Sequence, residues 1–159
     1  MKFPSYTFFT DTVDYGDSFG PFIRINPKYK YHPDLAIHEH EHVKQWYQMT
    51  FVAVLCYIIV CSVASIFLPT ILTNFPLHSS VLLLCCTLDR FFYKHITSYR
   101  QYKEVKSYAK QIKFLCEENK FKPSERPIYI DHFSNVLSVG YNLNISYKTA
   151  HSLITKELS

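Results

Sequence analysis

An α+β fold, mostly helical, with a small N-terminal sheet followed by helices, is what this 159-residue chain predicts, on three observations. The first thirty residues are rich in aromatic and β-branched side chains and are punctuated by "YGD", "FGP" and "NPK", as short strands and turns are. From Ile96 to Asn119, apolar and aromatic residues recur every three or four positions, which is the period of a helix with one buried face. Between these regions no Asp, Glu, Lys or Arg occurs from Gln45 to Leu88. The length suits one domain spanning residues 1–159, and 48% hydrophobic and 17% aromatic residues with three glycines describe a packed chain rather than a disordered one.

The elements follow in order. "FGPFIRIN" (19–26) alternates as a strand does, and "SYTFFT" is a partner for it. "HPDLAIHEHEHVKQWYQM" opens with Pro33 and Asp34, which start a helix near Asp34. Leu35, Ile37, Val43 and Trp46 make that helix half-buried. "FVAVLCYIIVCSVASIFLPTIL" (51–72) is long enough to cross a bilayer, since roughly 20 apolar residues suffice. A break at "TNFPLHSS" precedes a shorter apolar run, Phe75 to Leu88, interrupted by His78. Residues 50–92 are therefore expected to form an apolar helical hairpin inserted between two helices. It either enters a membrane or forms the centre of a soluble core or a subunit interface. Lys44, Arg90 and Lys94 flank it, which would put both ends on the cytoplasmic side of a membrane. The next helix carries Tyr99, Tyr102, Val105, Tyr108, Ile112 and Cys116 on its apolar stripe. Pro123 and Pro127 mark a loop, and two short helices separated by "GYNLN" complete the chain.

Charge and cysteine content exclude several classes. The net charge of +4 is mild, and Lys103, Lys106, Lys110 and Lys113 read as a solvated helix face, so nucleic acid is not an expected partner. Cys56, Cys61, Cys85, Cys86 and Cys116 are odd in number and lack any CxxC pair, which describes free thiols in a reducing compartment. "MKFPSYTFFTDTVDYGD" has no apolar stretch of signal-peptide length, so secretion by a cleaved signal is not expected.

The chemistry is concentrated in "LAIHEHEHVKQW" (35–46). Residues four apart on a helix stack on one face, and residues two apart do not. His38 and His42 therefore share a face while His40 points elsewhere, and His38–Glu39–x–x–His42 is an HExxH pattern. Two imidazoles one turn apart can both ligate one zinc ion, and the adjacent glutamate can take a proton from a water at that ion. His40 and Glu41 are then bystanders. A short pattern in a His- and Glu-rich stretch also arises by chance, as a polar helix face. A third ligand is needed, and Glu104 in "RQYKEVKSY" is a candidate, with Tyr108 one turn later for a supporting hydrogen bond or an oxyanion contact. The bland alternative for Glu104 is an ion pair with Arg100 one turn earlier. His132 in "YIDHFSN" is either an oxyanion contact or a surface histidine.

"HEHEHVKQW" followed by "RQYKEVKSY" resembles the zincin metallopeptidases of the gluzincin type, and more narrowly small bacteriophage-encoded zincin-like proteins, in which HExxH is followed by Gln and later by an E-x-x-A-Y-type helix. The order of HExxH, apolar hairpin and glutamate is also similar to a membrane-embedded branch of these peptidases. The resemblance implies a zincin-like fold, Zn2+ held by His38, His42 and Glu104, Glu39 as general base, and peptide or protein substrates. It implies a substrate-pairing edge strand, for which "FGPFIRIN" is the candidate. Ser107 departs from the phage-type alanine, and Tyr108 departs from the aspartate of the membrane-embedded branch. The resemblance places the chain in a host cytoplasm or on the cytoplasmic face of a membrane, with a homo-oligomer or virion partner as further options. A different class stays open: a phage structural, assembly or membrane-associated protein that keeps a zinc site without catalysis.

Overall fold

The computed structural model describes residues 3–67, 75–117 and 123–159. Three strands, β1 (Tyr6–Phe9), β2 (Gly16–Phe19) and β3 (Phe22–Ile25), precede five helices: α1 (Pro33–Phe67), α2 (Phe75–His95), α3 (Thr97–Glu117), α4 (Arg126–Gly140) and α5 (Tyr147–Leu158). The α+β, mostly helical class is therefore as expected. The break between the two apolar runs, at 68–74, lies outside the described residues.

The sheet has the order β1-β3-β2, with β1 parallel and β2 antiparallel to β3. This corrects the expectation of one strand over 19–26. Gly20 sits at φ +58°, a conformation that favours glycine, and turns the chain between Phe19 and Phe22. β3 is consequently central and β2, with Gly16 at its start, is an edge. Ile23 and Ile25 of β3 pack on Val43 of α1 and fix the sheet to the first turns of that helix.

Pro33 opens α1 with Asp34 in its first turn, where a missing N–H costs nothing and a negative charge faces the positive helix end. The motif helix and the first apolar arm are one continuous helix. α1 lies against α3 and α2, and Gln111 of α3 donates to Asp34 at 2.8 Å. The main apolar core lies between α3, α4 and α5, where Ile112, Leu137, Ala150 and Ile154 are fully enclosed. Asn142 and Asn144, both at positive φ, carry the turn into α5, whose cap is Ser146 accepting from the Thr149 amide. Pro127 lies in the first turn of α4.

Two expectations for α3 are corrected. Tyr102 is 52% exposed, and Lys103, taken for part of a solvated face, is 3% exposed. Lys103 Nζ reaches both oxygens of buried Asp89 at 2.9 and 2.7 Å, and Tyr99 donates to the same carboxylate at 2.6 Å. The polar stripe of α3 (Lys103, Glu104, Ser107, Gln111) turns inward against α1 and α2, because those helices offer it buried polar partners. The five cysteines are free, with Cys85 buried.

Candidate metal centre

Three donors converge. His38 and His42 lie one turn apart on α1, and Glu104 meets them from α3. His38 Nε2 and His42 Nε2 are 3.2 Å apart, His38 Nε2 is 3.4 Å from Glu104 Oε2, and His42 Nε2 is 3.4 Å from Glu104 Oε1. Exposure of 4% for His38 and 1% for Glu104 takes the group out of bulk solvent. The group is the expected trio, and it could hold a metal ion. The alternative ion pair of Glu104 with Arg100 is not formed; the carboxylate faces the imidazoles instead.

Neighbouring side chains orient the donors. Gln45 Oε1 lies 3.3 Å from His42 Nδ1, and Gln45 Nε2 donates to the Lys103 carbonyl at 3.4 Å. An amide oxygen at Nδ1 assigns the proton to that nitrogen and leaves the Nε2 lone pair facing the centre. Ser107 Oγ, 3.4 Å from the same Nδ1, occupies the position of the departure from the phage-type alanine. The Tyr93 hydroxyl donates to Glu104 Oε1 at 2.5 Å, while buried Glu104 Oε2 has no hydrogen-bond partner. A buried carboxylate oxygen without a donor is what a cation would satisfy. Burial would raise the Glu104 carboxyl, but His42 and His38 beside it outweigh that and hold it well below the usual range.

Glu39 is 5% exposed and is pushed up to about 7 by burial; the His38 ring opposes the shift, and the charges of Glu104 and Asp17 add to it. Its partner surface is β2. A Cβ on Gly16 would sit 3.3 Å from both Cγ and Oε1 of Glu39, so the absent side chain leaves the room that this carboxylate uses. His40 Nδ1 and Ser5 Oγ are 3.1 Å apart, and Glu41 accepts from Lys44 at 2.9 Å, so these two motif residues serve α1's outer contacts.

A cavity of about 370 Å³ opens on the trio. Gly16 to Gly20 wall one side, Glu39 and Trp46 another, and Tyr93, Arg100, Lys103 and Tyr141 the side from α2 to the end of α4. The edge strand at this cavity is β2; of the 19–26 segment expected for that place only Phe19 and Gly20 line it. Tyr108 does not line the cavity. Its ring lies 4.4 Å from that of His38 and stacks on Phe133, and its hydroxyl is 2.7 Å from that of Tyr141. His132 is exposed on α4, its ring edge against Phe133, and stands away from the cavity wall.

Tyr93, Tyr141 and the Lys103–Asp89 pair escape the sequence reading, which names the Gln after HExxH as part of the pattern without giving it a role. Asp89 carried a signal, as the first charge after the long uncharged run and a candidate for pairing across to α3. The phenols carried none, since tyrosines are frequent throughout the chain. No protein-family model, curated protein or solved structure matches this chain.

Proposed function

We propose that this chain is a zinc-dependent peptidase that hydrolyses peptide bonds with a water activated at His38, His42 and Glu104. The spacing of the donor atoms carries the reading. Two donors each about 2.0–2.1 Å from one tetrahedral zinc ion lie roughly 3.3–3.4 Å apart. Here the two imidazole nitrogens are 3.2 Å apart, and each lies 3.4 Å from a different oxygen of the Glu104 carboxylate. Two imidazoles and a carboxylate are the donor set of catalytic zinc sites, which keep a fourth position open. The cavity supplies that open side. An open side separates this reading from a zinc site kept for stability in an assembly protein, where a fourth donor closes the shell.

His38, His42 and Glu104 would hold the zinc ion, which would supply Lewis acidity toward a carbonyl oxygen and a water. Glu39 takes the water's proton on its carboxylate and hands it to the leaving amine. Tyr141 and Tyr93 both present phenol groups to the same cavity; the Tyr93 O–H is held by Glu104, and Tyr141, accepting from Tyr108, keeps its own O–H for a developing oxyanion. Tyr108 acts behind them, packing His38 and bonding Tyr141. The edge strand β2 accepts an extended peptide by strand addition, whose backbone hydrogen bonds demand little of the substrate's side chains.

The test is zinc content of the wild type, His38→Ala and Glu104→Ala proteins, beside hydrolysis of a quenched-fluorescence peptide library by wild type and Glu39→Gln. Zinc in the wild type and Glu39→Gln, none in the ligand variants, and hydrolysis by the wild type alone are expected. A wild type that takes up no zinc, or hydrolysis that survives Glu39→Gln, overturns the reading.

A further inference from the structure

We infer that the apolar hairpin, residues 51–67 of α1 with residues 75–88 of α2, enters a lipid bilayer and holds the cavity at the membrane surface, so that the peptide cut is one lying at that surface. The substrate half of this inference rests on the peptidase reading; the membrane half does not.

Exposure comes first. α1 is long and apolar enough to cross a membrane, and among the described residues none of its most apolar window is buried. Val60 is 63% and Leu83 69% exposed, and Phe51, Leu55 and Ile59 of α1 are exposed with them. The uncharged part of α1, Gln45 to Phe67, is about 34 Å long at 1.5 Å per residue, against a hydrocarbon core of about 30 Å.

What covers this surface is indicated by its polar groups. In hydrocarbon, polar groups must be satisfied within the protein. Tyr57 hydrogen-bonds His78 across the hairpin. Ser62, Ser65 and Thr87 each donate to a carbonyl three or four residues back in their own helices, at 2.8 Å. These groups need neither water nor a partner protein's polar side chains.

The foot of the hairpin has the composition of a membrane interface, where aromatic rings and cations collect. Trp46 donates to the Cys86 carbonyl at 2.9 Å and closes the two helices there. Its indole lies 3.5 Å from the place a Gly20 Cβ would take, which brings the β2–β3 turn to the same level. Arg90 stands over the Phe19 ring at 4.7 Å, and Phe19 pairs with Phe22, whose ring meets Tyr6 and Phe8. These sheet aromatics are all exposed. Trp46, Phe19, Arg90 and Lys94 also line the cavity, so its mouth and the hairpin's foot are one place.

The experiment is flotation of the full chain with phosphatidylcholine vesicles, with and without phosphatidylglycerol, for wild type and for the Ile59→Lys/Leu83→Lys variant. Wild type is expected to float and the variant to float at least about tenfold less, since two lysines are costly in hydrocarbon. A circular-dichroism spectrum and melting transition in detergent equal to wild type check that the variant is folded; if they differ, Ile59→Ser/Leu83→Ser takes its place. A wild type that stays at the bottom, or forms a defined oligomer without lipid that the variant loses, overturns the membrane half. The second arm compares one peptide free in solution with the same peptide acyl-anchored to vesicles. Wild type is expected to cleave the anchored form at least about tenfold faster, through raised local concentration, and the variant to lose that preference while keeping its rate on the free peptide. Hydrolysis without preference overturns the substrate half alone. Flotation without hydrolysis of either form removes the peptidase reading and the substrate half with it, and leaves the membrane half standing.

Discussion

The two halves of α1 invert the usual rule of burial. Its first half buries His38, Glu39, Glu41, His42 and Gln45, whereas its second half exposes Phe51, Val52, Leu55, Ile58 and Ile59. Hydrophobicity alone does not decide which side chains this protein encloses. The polar half is buried where most of its groups find partners: His38 and His42 on Glu104, Gln45 on His42, Lys44 on Glu41. Among the described residues, the apolar half meets no apolar surface large enough to cover it. The less apolar α3–α5 region builds the main core because its helices carry matching stripes.

Changes that act on one half and spare the other sharpen this contrast. The largest effect is expected at Glu39. Glu39→Gln should lower turnover by about 10²–10⁴-fold with zinc retained, while Ile59→Lys should leave turnover of a soluble peptide within about twofold. Steady-state kinetics with paired zinc analysis checks both.

Next is the buried pair beside the cavity. Lys103→Met strands the Asp89 charge in a buried setting and should cost about 3–5 kcal/mol in denaturant unfolding, with the Asp89→Asn/Lys103→Met double variant recovering much of that. An unchanged unfolding midpoint for Lys103→Met would remove the pair from any part in stability. The core and the hairpin should then differ by a similar margin. Ile112→Ala should cost about 2–5 kcal/mol, and Val60→Ala less than about 1 kcal/mol in detergent, because only the first opens a cavity. Equal losses would mean that the hairpin is packed after all.

A smaller effect concerns Glu39 in metal-free protein. Its carboxyl is raised from 4.5 to about 7, so the folded state favours the protonated form. Relative to a group that does not titrate, its contribution is most favourable below the ordinary value and is lost as pH rises through 7. Glu39→Gln should therefore be more stable than wild type at pH 8 by about 2–3 kcal/mol and equal to it near pH 4, as thermal melts at both values would report. Smallest is Gly16→Ala, which presses a methyl on Glu39 and should slow turnover by roughly threefold with zinc unchanged.

Two of the three donors were legible because their spacing is local. His38 and His42 need one turn of helix to share a face, and any helix through residues 33–46 provides it. Glu104 was legible as a candidate, since the face of α3 that carries it could be drawn, but an ion pair with Arg100 satisfied the same pattern. The reading of Lys103 failed for a related reason. Periodicity marks which residues share a face and is silent on whether a facing helix brings a carboxylate such as Asp89 to it. The strand over 19–26 was drawn too long because "FGPFIRIN" alternates across Gly20, whose positive φ reverses the chain.

The sequence by itself determined what depends on near neighbours along the chain: the helical period of α3, the HExxH face of α1, the Asn-bearing turn before α5, and an uncharged run too apolar to solvate well. Only the tertiary structure decided what depends on partners far away in the chain. It turned Glu104 toward the imidazoles, made β2 the edge at the cavity, and left the hairpin uncovered. The reason is physical. A local pattern states which groups a segment presents, and the packing of α1 against α2, α3 and the sheet determines which of them meet.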